Sequence, residues 1–195
     1  MVAEWSPTAA QTSGTLAYNF LQSPLAIDAM LLSIRTMATD ELASARMGSG
    51  LTLFDTEEEH DCFSDLSHVA IYHNLQGVLN AVYGRYHSPV DGREISGPSF
   101  ADLIEQQHPQ TFTALDSALT AIESNMHQLL ELGERSENPI RFDQIIGQGQ
   151  TTPPGEAYTL ANQTSLMLTE LDSTFEEIRT LLALANLSAG DGDGD

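Results

Sequence analysis

The chain of 195 residues has no lysine and only one cysteine. Its seven basic residues are all arginine and stand against 28 aspartates and glutamates, so the formal net charge is −21. A charge of this sign repels nucleic acid and anionic membrane surfaces, whereas it attracts cations and basic partners. We therefore expect no nucleic-acid partner. The alternative explanation of the charge is solubility alone.

The sequence also lacks the segments and motifs of several protein classes. A single cysteine cannot form an internal disulfide. Residues 1–7 contain no basic segment followed by an apolar run, so no signal peptide is visible in this chain, and no apolar run is long enough to span a bilayer. The motifs His-Glu-x-x-His and Gly-x-Ser-x-Gly and a phosphate-binding glycine loop are absent. The sequence therefore gives little support for catalysis.

Apolar residues recur at spacings of three and four along most of the chain, which predicts amphipathic helices. The clearest stripe is Ile27, Leu31, Ile34, Ala38, Leu42 and Ala45. Similar stripes follow at residues 69–86, 112–129 and 160–185, and no stretch alternates convincingly with period two. The prediction is an all-α fold, an up-down helical bundle of about four main helices plus short helices. It covers residues 1–189, and the Gly-Asp repeat at 190–195 is a disordered acidic tail.

Helix ends are predicted from capping residues, glycine and proline. Ser6 and Pro7 begin a first helix, Gly48 and Gly50 end the first long helix, and Ser64 or Asp65 caps the next one. Gly77 lies inside that next helix, where a close contact with another helix would explain it. The predicted loops are residues 87–97 and 133–155, the latter with a short turn at 142–146.

The stretch richest in potential metal ligands is residues 54–68, Phe-Asp-Thr-Glu-Glu-Glu-His-Asp-Cys-Phe-Ser-Asp-Leu-Ser-His. It concentrates carboxylates, two imidazoles and the only cysteine at the approach to a helix. If the loop folds back, His60, His68 and Glu58 or Glu59 converge on one cation, and imidazole and carboxylate suit iron, zinc or manganese. The spacing is not a recognised metal motif. The alternative is an acidic loop with a capping aspartate and a histidine that hydrogen-bonds its neighbours.

Two further residues allow a functional and a structural interpretation. Cys62 would serve as a soft ligand or a nucleophile, but a lone cysteine is more often a small buried hydrophobic residue, and we expect that here. Arg46 either pairs with the acidic stretch or interacts only with the dipole at the end of its own helix.

The acidic stretch also carries a resemblance to a known family. Residues 58–68 resemble the Asp-Glu-His-Ser-Cys-Phe-Ser-Asp-Asn-Thr-His signature of the imelysin family, in its iron-regulated protein A branch. Asp-Glu-Leu-Ala-Ser-Ala-Arg-Met at 40–47 is similar to the family's Gly-Glu-Leu-Ala-Gly-Glu-Arg-Met. Gly-Pro-Ser-Phe-Ala-Asp-Leu at 97–103 is similar to its Gly-Pro-Ser-Leu-Ala-Asp-Leu, and residues 76–84 to its Gly-Ile-Gln-Asn-Val-Tyr helix with shifted spacing. These segments keep the family's order.

The resemblance implies a protein of the bacterial periplasm or cell envelope that is linked to iron uptake. It implies two helical bundles, of which this chain matches the C-terminal one. The family's Gly-x-His-x-x-Glu motif has no counterpart, since no His-x-x-Glu occurs in the sequence. Leu66 stands where asparagine is usual, and Ala70 where an aspartate often follows the final histidine. Both departures remove polar groups from the predicted site.

The leading hypothesis is a non-enzymatic, metal-linked, imelysin-like envelope protein in bacterial iron acquisition, with iron or zinc as the metal ion. One alternative is a metal-dependent peptidase of the M75 type, an activity ascribed to some relatives. The other is an acidic helical interaction module whose site has decayed. Because half of a two-bundle protein would expose an apolar face, we expect a homodimer or a separate chain that supplies the N-terminal half. Membrane-associated envelope proteins are further partners that the resemblance implies.

Overall fold

The computed structural model describes residues 2–184, so the predicted tail at 190–195 and the predicted last turn of the final helix lie outside it. The chain begins with a 3-10 turn (Val2–Trp5) and two short helices, α1 (Pro7–Ala10) and α2 (Leu16–Gln22). Ser6 caps α1 as predicted, because its Oγ accepts a hydrogen bond from the N–H of Ala9 at 3.1 Å. The predicted single first helix is interrupted near Gly14, which has a φ of 89°.

The first long helix spans residues 26–53. Its three parts are α3 (Ala26–Thr36), a π-helix (Met37–Gly48) and α4 (Ser49–Leu53). The prediction that Gly48 and Gly50 end this helix is wrong. A Cβ on Gly50 would lie 2.7 Å from Cδ1 of Ile146, so this glycine permits close packing inside the helix. The helix ends at Phe54, whose backbone is left-handed with a φ of 54°.

The rest of the chain supplies three more main helices and several short elements. They are a 3-10 turn (Thr56–Glu58), α5 (Ser67–Tyr83), the antiparallel strands β1 (Arg85–His87) and β2 (Glu94–Ser96), α6 (Phe100–Gln107), α7 (Pro109–Glu134), α8 (Phe142–Gln148) and α9 (Glu156–Leu181). The predicted loop at 87–97 thus contains most of a short hairpin, and the predicted loop at 133–155 contains α8. The all-α prediction is confirmed, because β1 and β2 are the only strands in residues 2–184.

The start of α5 differs from the prediction, since neither Ser64 nor Asp65 caps it. Leu66 occupies the N-cap position and makes no side-chain hydrogen bond to the helix. Ser67 is fully buried, and its Oγ accepts a hydrogen bond from the backbone N–H of Asp61 at 2.8 Å. This bond ties the first residue of α5 to the loop before it.

The four main helices form a ring in which helices that follow each other in the chain are neighbours. The first long helix contacts α5 and α9, and α7 contacts the same two helices. In this up-down order, the connection before α5 and the connection between α7 and α9 lie at the same end of the bundle. Accordingly, α8 contacts the 3-10 turn of the first connection. The hairpin, α6 and the start of α3 lie at the opposite end.

The predicted apolar stripes form most of the interior of the ring. Leu31, Ile34, Ala38 and Leu42 of the first stripe are buried, as are Leu115, Leu119, Ile122, Met126 and Leu129 of α7 and Leu171, Phe175 and Ile178 of α9. Ile27 and Ala45 are exposed instead. Ala45 lies in the π-helix, whose wider turns shift the buried face to Met47. The predicted close contact at Gly77 is also wrong, since a Cβ there would meet no atom within 4 Å.

A buried ion pair joins the first and last main helices. Asp28 is 1% exposed and accepts a hydrogen bond from Nε of Arg179 at 3.1 Å. Nη1 of Arg179 also donates to Glu176 at 2.9 Å. Arg35 extends the network, because it pairs with Glu176 and, at 2.6 Å, with Asp172. The buried carboxylate of Asp28 thus has a cation beside it.

Replacing Arg179 by methionine should destabilise the protein by about 3–5 kcal/mol, because Asp28 would stay buried without its cation. Urea unfolding followed by circular dichroism measures the loss. Arg93→Met, in the exposed turn of the hairpin, is the control and should change the free energy of unfolding by less than about 0.5 kcal/mol. Equal losses in the two variants would contradict a special role for the buried pair.

Candidate functional site

The acidic loop, residues 54–66, is fixed to the end of the bundle by the connection between α7 and α9. Nη1 of Arg141 donates a hydrogen bond to the carbonyl oxygen of Asp65 at 3.0 Å. Nε2 of Gln150 donates one to the carbonyl oxygen of Phe54 at 3.1 Å. The two ends of the acidic loop are therefore held by the same neighbouring segment.

Glu59 is the buried carboxylate of the acidic loop. Its side chain is only 8% exposed, and its Oε2 has no hydrogen-bond partner in residues 2–184. Loss of solvent raises the pKa of Glu59, hydrogen bonds from Ser67 and Cys62 lower it, and the carboxylates of Asp143 and Asp65 raise it further. None of the ion pairs within the described residues includes Glu59. This carboxylate is thus buried among other carboxylates with no protein cation paired to it.

Asp143 brings a second buried carboxylate oxygen to this region. It lies in the first turn of α8, and its Oδ1 is buried without a hydrogen-bond partner. Its negative charge raises the pKa of both Glu59 and Cys62, which places it near both groups. Two carboxylates from separate connections therefore share one electrostatic environment.

His68, in the first turn of α5, is fully buried and firmly oriented. Its Nε2 lies 2.8 Å from Oε1 of Glu134, and this hydrogen bond lowers the pKa of Glu134. The ring packs so closely on Gly133 that a Cβ there would lie 2.1 Å from Cδ2 of His68. The Nδ1 atom is buried without a partner. Histidines that bind metals usually have this arrangement, in which one nitrogen donates to a carboxylate and the other keeps its lone pair.

His60 and Glu58 lie on the exposed side of the acidic loop. Nε2 of His60 is 3.3 Å from Nη1 of Arg46, and desolvation together with the charge of Arg46 lowers the pKa of His60. Arg46 also pairs with Glu41 at 3.3 Å. Arg46 therefore contacts the acidic loop, as one interpretation of the sequence expected, but through a histidine rather than a carboxylate.

The prediction that Cys62 is buried is wrong. The cysteine is exposed in the turn formed by residues 62–65, next to Phe63, whose side chain is fully exposed. Desolvation and the carboxylates of Glu57 and Glu59 raise the pKa of the Cys62 thiol. The thiol is therefore protonated at neutral pH, which disfavours it as a nucleophile and as a thiolate ligand.

The structure does not bring the four predicted ligands into one group. Glu59 and His68 are buried, whereas Glu58 and His60 are exposed. Within residues 2–184, no three histidine, cysteine, aspartate or glutamate side chains are placed to hold one metal ion. The donor chemistry does fit a cation, because Glu59, His68 and Asp143 each present a buried polar atom without a partner. The metal site therefore stays a prediction.

Three residues of this region are missing from the sequence-based prediction. Glu134 is the last residue of α7, and Arg141 and Asp143 belong to the connection between α7 and α9, far along the chain from the acidic loop. The signal that points to them is the bundle topology. In an up-down bundle the first and third connections lie at the same end, so polar residues of the third connection are candidates for any site in the first.

The chain belongs to the imelysin family, since the family model described as imelysin matches residues 1–174. This match confirms the family that the acidic-loop signature indicates. No curated protein matches the chain. Within residues 2–184, none of the helices has the length and apolar character needed to cross a membrane.

Glu59→Gln should stabilise the protein near neutral pH, because glutamine removes a buried charge that has no cation beside it. The pKa of Glu59 is raised above its ordinary value of 4.5. The contribution of Glu59 to the stability of the wild type is therefore fully present below that value and is lost as the pH rises through the folded-state pKa. The advantage of the variant should vanish below the ordinary pKa and grow above it.

Urea unfolding in the presence of a chelator, at several pH values between acid and neutrality, measures this difference. Glu57→Gln removes an exposed carboxylate from the same loop and serves as the control. An advantage of Glu59→Gln that is the same at every pH would contradict the assignment of a buried, ionised Glu59.

Proposed function

We propose that this imelysin-family protein binds an iron or zinc ion at the acidic-loop end of its bundle and acts, without enzymatic activity, in bacterial iron acquisition at the cell envelope. The observation that carries the proposal is the burial of Glu59, within the loop that bears the family signature, without a paired cation among the described residues. An ionised carboxylate in such a place is costly unless a cation or a proton joins it.

The other buried carboxylate of the bundle supports this interpretation by contrast. Asp28 is as well buried as Glu59, and it pairs with Arg179. A metal ion from solution would give Glu59 the counter-charge that Arg179 gives Asp28. Asp143 adds a second unpartnered carboxylate oxygen, and oxygen donors of this kind suit iron and zinc.

His68 and Glu134 supply the second line of support. The hydrogen bond to Glu134 fixes the imidazole of His68 and leaves Nδ1 with no partner in the described residues. His60 and Glu58 would join the same ion only after the acidic loop turns inward. Because Leu66 and Ala70 replace polar residues that the family usually has, we expect weak binding, since lost support around ligands typically weakens affinity 10–100-fold.

Calorimetric titration with Zn²⁺, and with Fe²⁺ under anaerobic conditions, tests the site. Moderate salt screens the diffuse attraction of the −21 charge but not direct coordination. Glu59→Gln and the double variant His60→Ala/His68→Gln should lose most of the binding heat, and Asp143→Asn should weaken it. Glu57→Gln removes an exposed carboxylate of the same loop and should bind like the wild type.

Equal binding by the wild type, Glu59→Gln and the double histidine variant would show that the acidic loop attracts cations only diffusely. The rival function, metal-dependent peptide cleavage, is tested with casein and Zn²⁺. We expect no more cleavage than in a chelated control. Zinc-dependent cleavage that disappears in Glu59→Gln would make the protein a peptidase instead.

A further inference from the structure

The longest stretch with almost no charge is residues 5–34. In a chain with 28 acidic residues, this stretch contains a single charged residue, Asp28. Asp28 is buried and paired with Arg179, so it adds no charge to the surface. The surface formed by this stretch is therefore nearly neutral, although the whole chain carries −21 and the exposed Glu4 adjoins the stretch, where its carboxylate accepts a hydrogen bond from the N–H of Leu16 at 3.1 Å.

This neutral surface is also strongly apolar. Its exposed large hydrophobic side chains are Trp5, Leu16, Leu21, Leu25, Ile27 and Met30. Single exposed apolar residues are ordinary on protein surfaces, so these six are notable for their concentration in one segment that carries almost no exposed charge. We call these six side chains the apolar face.

An apolar groove adjoins the apolar face. It has a volume of about 490 Å³, and Ile27 and Met30 lie along one side of it. Its other lining residues are Asn80, Ala81, Gly84, Pro98, Ser99, Phe100 and Leu103, none of which is charged. Projecting apolar side chains and an uncharged groove thus occur side by side, as an interface between two identical copies requires.

We infer that two copies of this chain associate through the apolar face, with side chains of each copy seated in or beside the groove of the other. Two chains of −21 repel each other wherever acidic surfaces meet, so two copies can associate only through a surface with little charge. The apolar face is such a surface. Residues 5–34 offer a basic partner no exposed carboxylate, since Asp28 is buried and paired with Arg179. The acidic loop lies at the opposite end of the bundle, so the dimer keeps the two loops apart.

The apolar character of the proposed contact predicts how the dimer responds to salt. Because the contact is apolar and the chains repel each other, salt should strengthen the dimer, whereas it weakens an association through ion pairs.

Sedimentation velocity over a range of protein concentrations, at low and moderate salt, tests the inference. The full chain should form a dimer, and moderate salt should shift the equilibrium toward it. Ile27→Glu and Met30→Glu should lose the dimer, because each places a carboxylate in the contact twice. Leu166→Glu is the matched control: Leu166 is 55% exposed, against 46% for Ile27, and lies on α9 at a different groove. It should leave the dimer intact, and circular dichroism should show that all three variants are folded.

Trp5 reports which face is covered, because it is the only tryptophan and belongs to the apolar face. Its fluorescence should shift to longer wavelength as the protein is diluted and the dimer dissociates. A monomer at every concentration and both salts overturns the inference. A dimer whose Trp5 emission does not change on dilution also overturns the inference. A dimer that Leu166→Glu dissociates as readily as Ile27→Glu overturns it as well. Dimerisation only after removal of residues 185–195 would assign the face to the chain's own tail and also overturns it.

Discussion

Positive charge is scarce in this chain, and that scarcity decides where a carboxylate can be buried. Only seven arginines are available for 28 acidic residues. Arg179 stands beside buried Asp28 and, together with Arg35, links the first and last main helices. Glu59, buried to a similar degree, has no such partner among the described residues. Most carboxylates stay in water, where their charge costs little free energy. Asp28 and Glu59 are buried, so at these two positions the charge needs a counter-charge.

The order of the helices decides which groups surround Glu59. An up-down ring of four helices places its first and third connections at one end. The acidic loop and α8 therefore meet there, and Glu59 gains Asp143 as a neighbour instead of an arginine. Arg141, which lies in the third connection, donates a hydrogen bond to the backbone carbonyl oxygen of Asp65 and thereby fixes the loop. The opposite end of the bundle is apolar rather than acidic, because residues 5–34 contribute exposed apolar side chains and almost no charge there.

The sequence predicted the parts that depend on periodicity. The stripes of α7 and α9 are buried as expected, because a helix repeats its face every three to four residues. The sequence pattern could not predict the features that depend on tertiary contacts. Gly50 permits a contact with Ile146 almost a hundred residues away, so its glycine does not end a helix. Cys62 is exposed in a turn of the acidic loop, and the effect of Asp143 on Glu59 depends on two connections that only the fold brings together.

The central claim is that a metal ion supplies the counter-charge that Glu59 lacks. The most direct test follows the ¹³C resonance of the Glu59 carboxyl, assigned by its loss in Glu59→Gln, during addition of Zn²⁺ at fixed pH and moderate salt. A bound metal ion should give a saturable shift at Glu59, while the exposed Glu57, a carboxylate of the same loop that is not a candidate ligand, shifts far less. Equal, non-saturating shifts at both carboxyls would contradict it, because they would show only diffuse attraction of cations to an acidic surface.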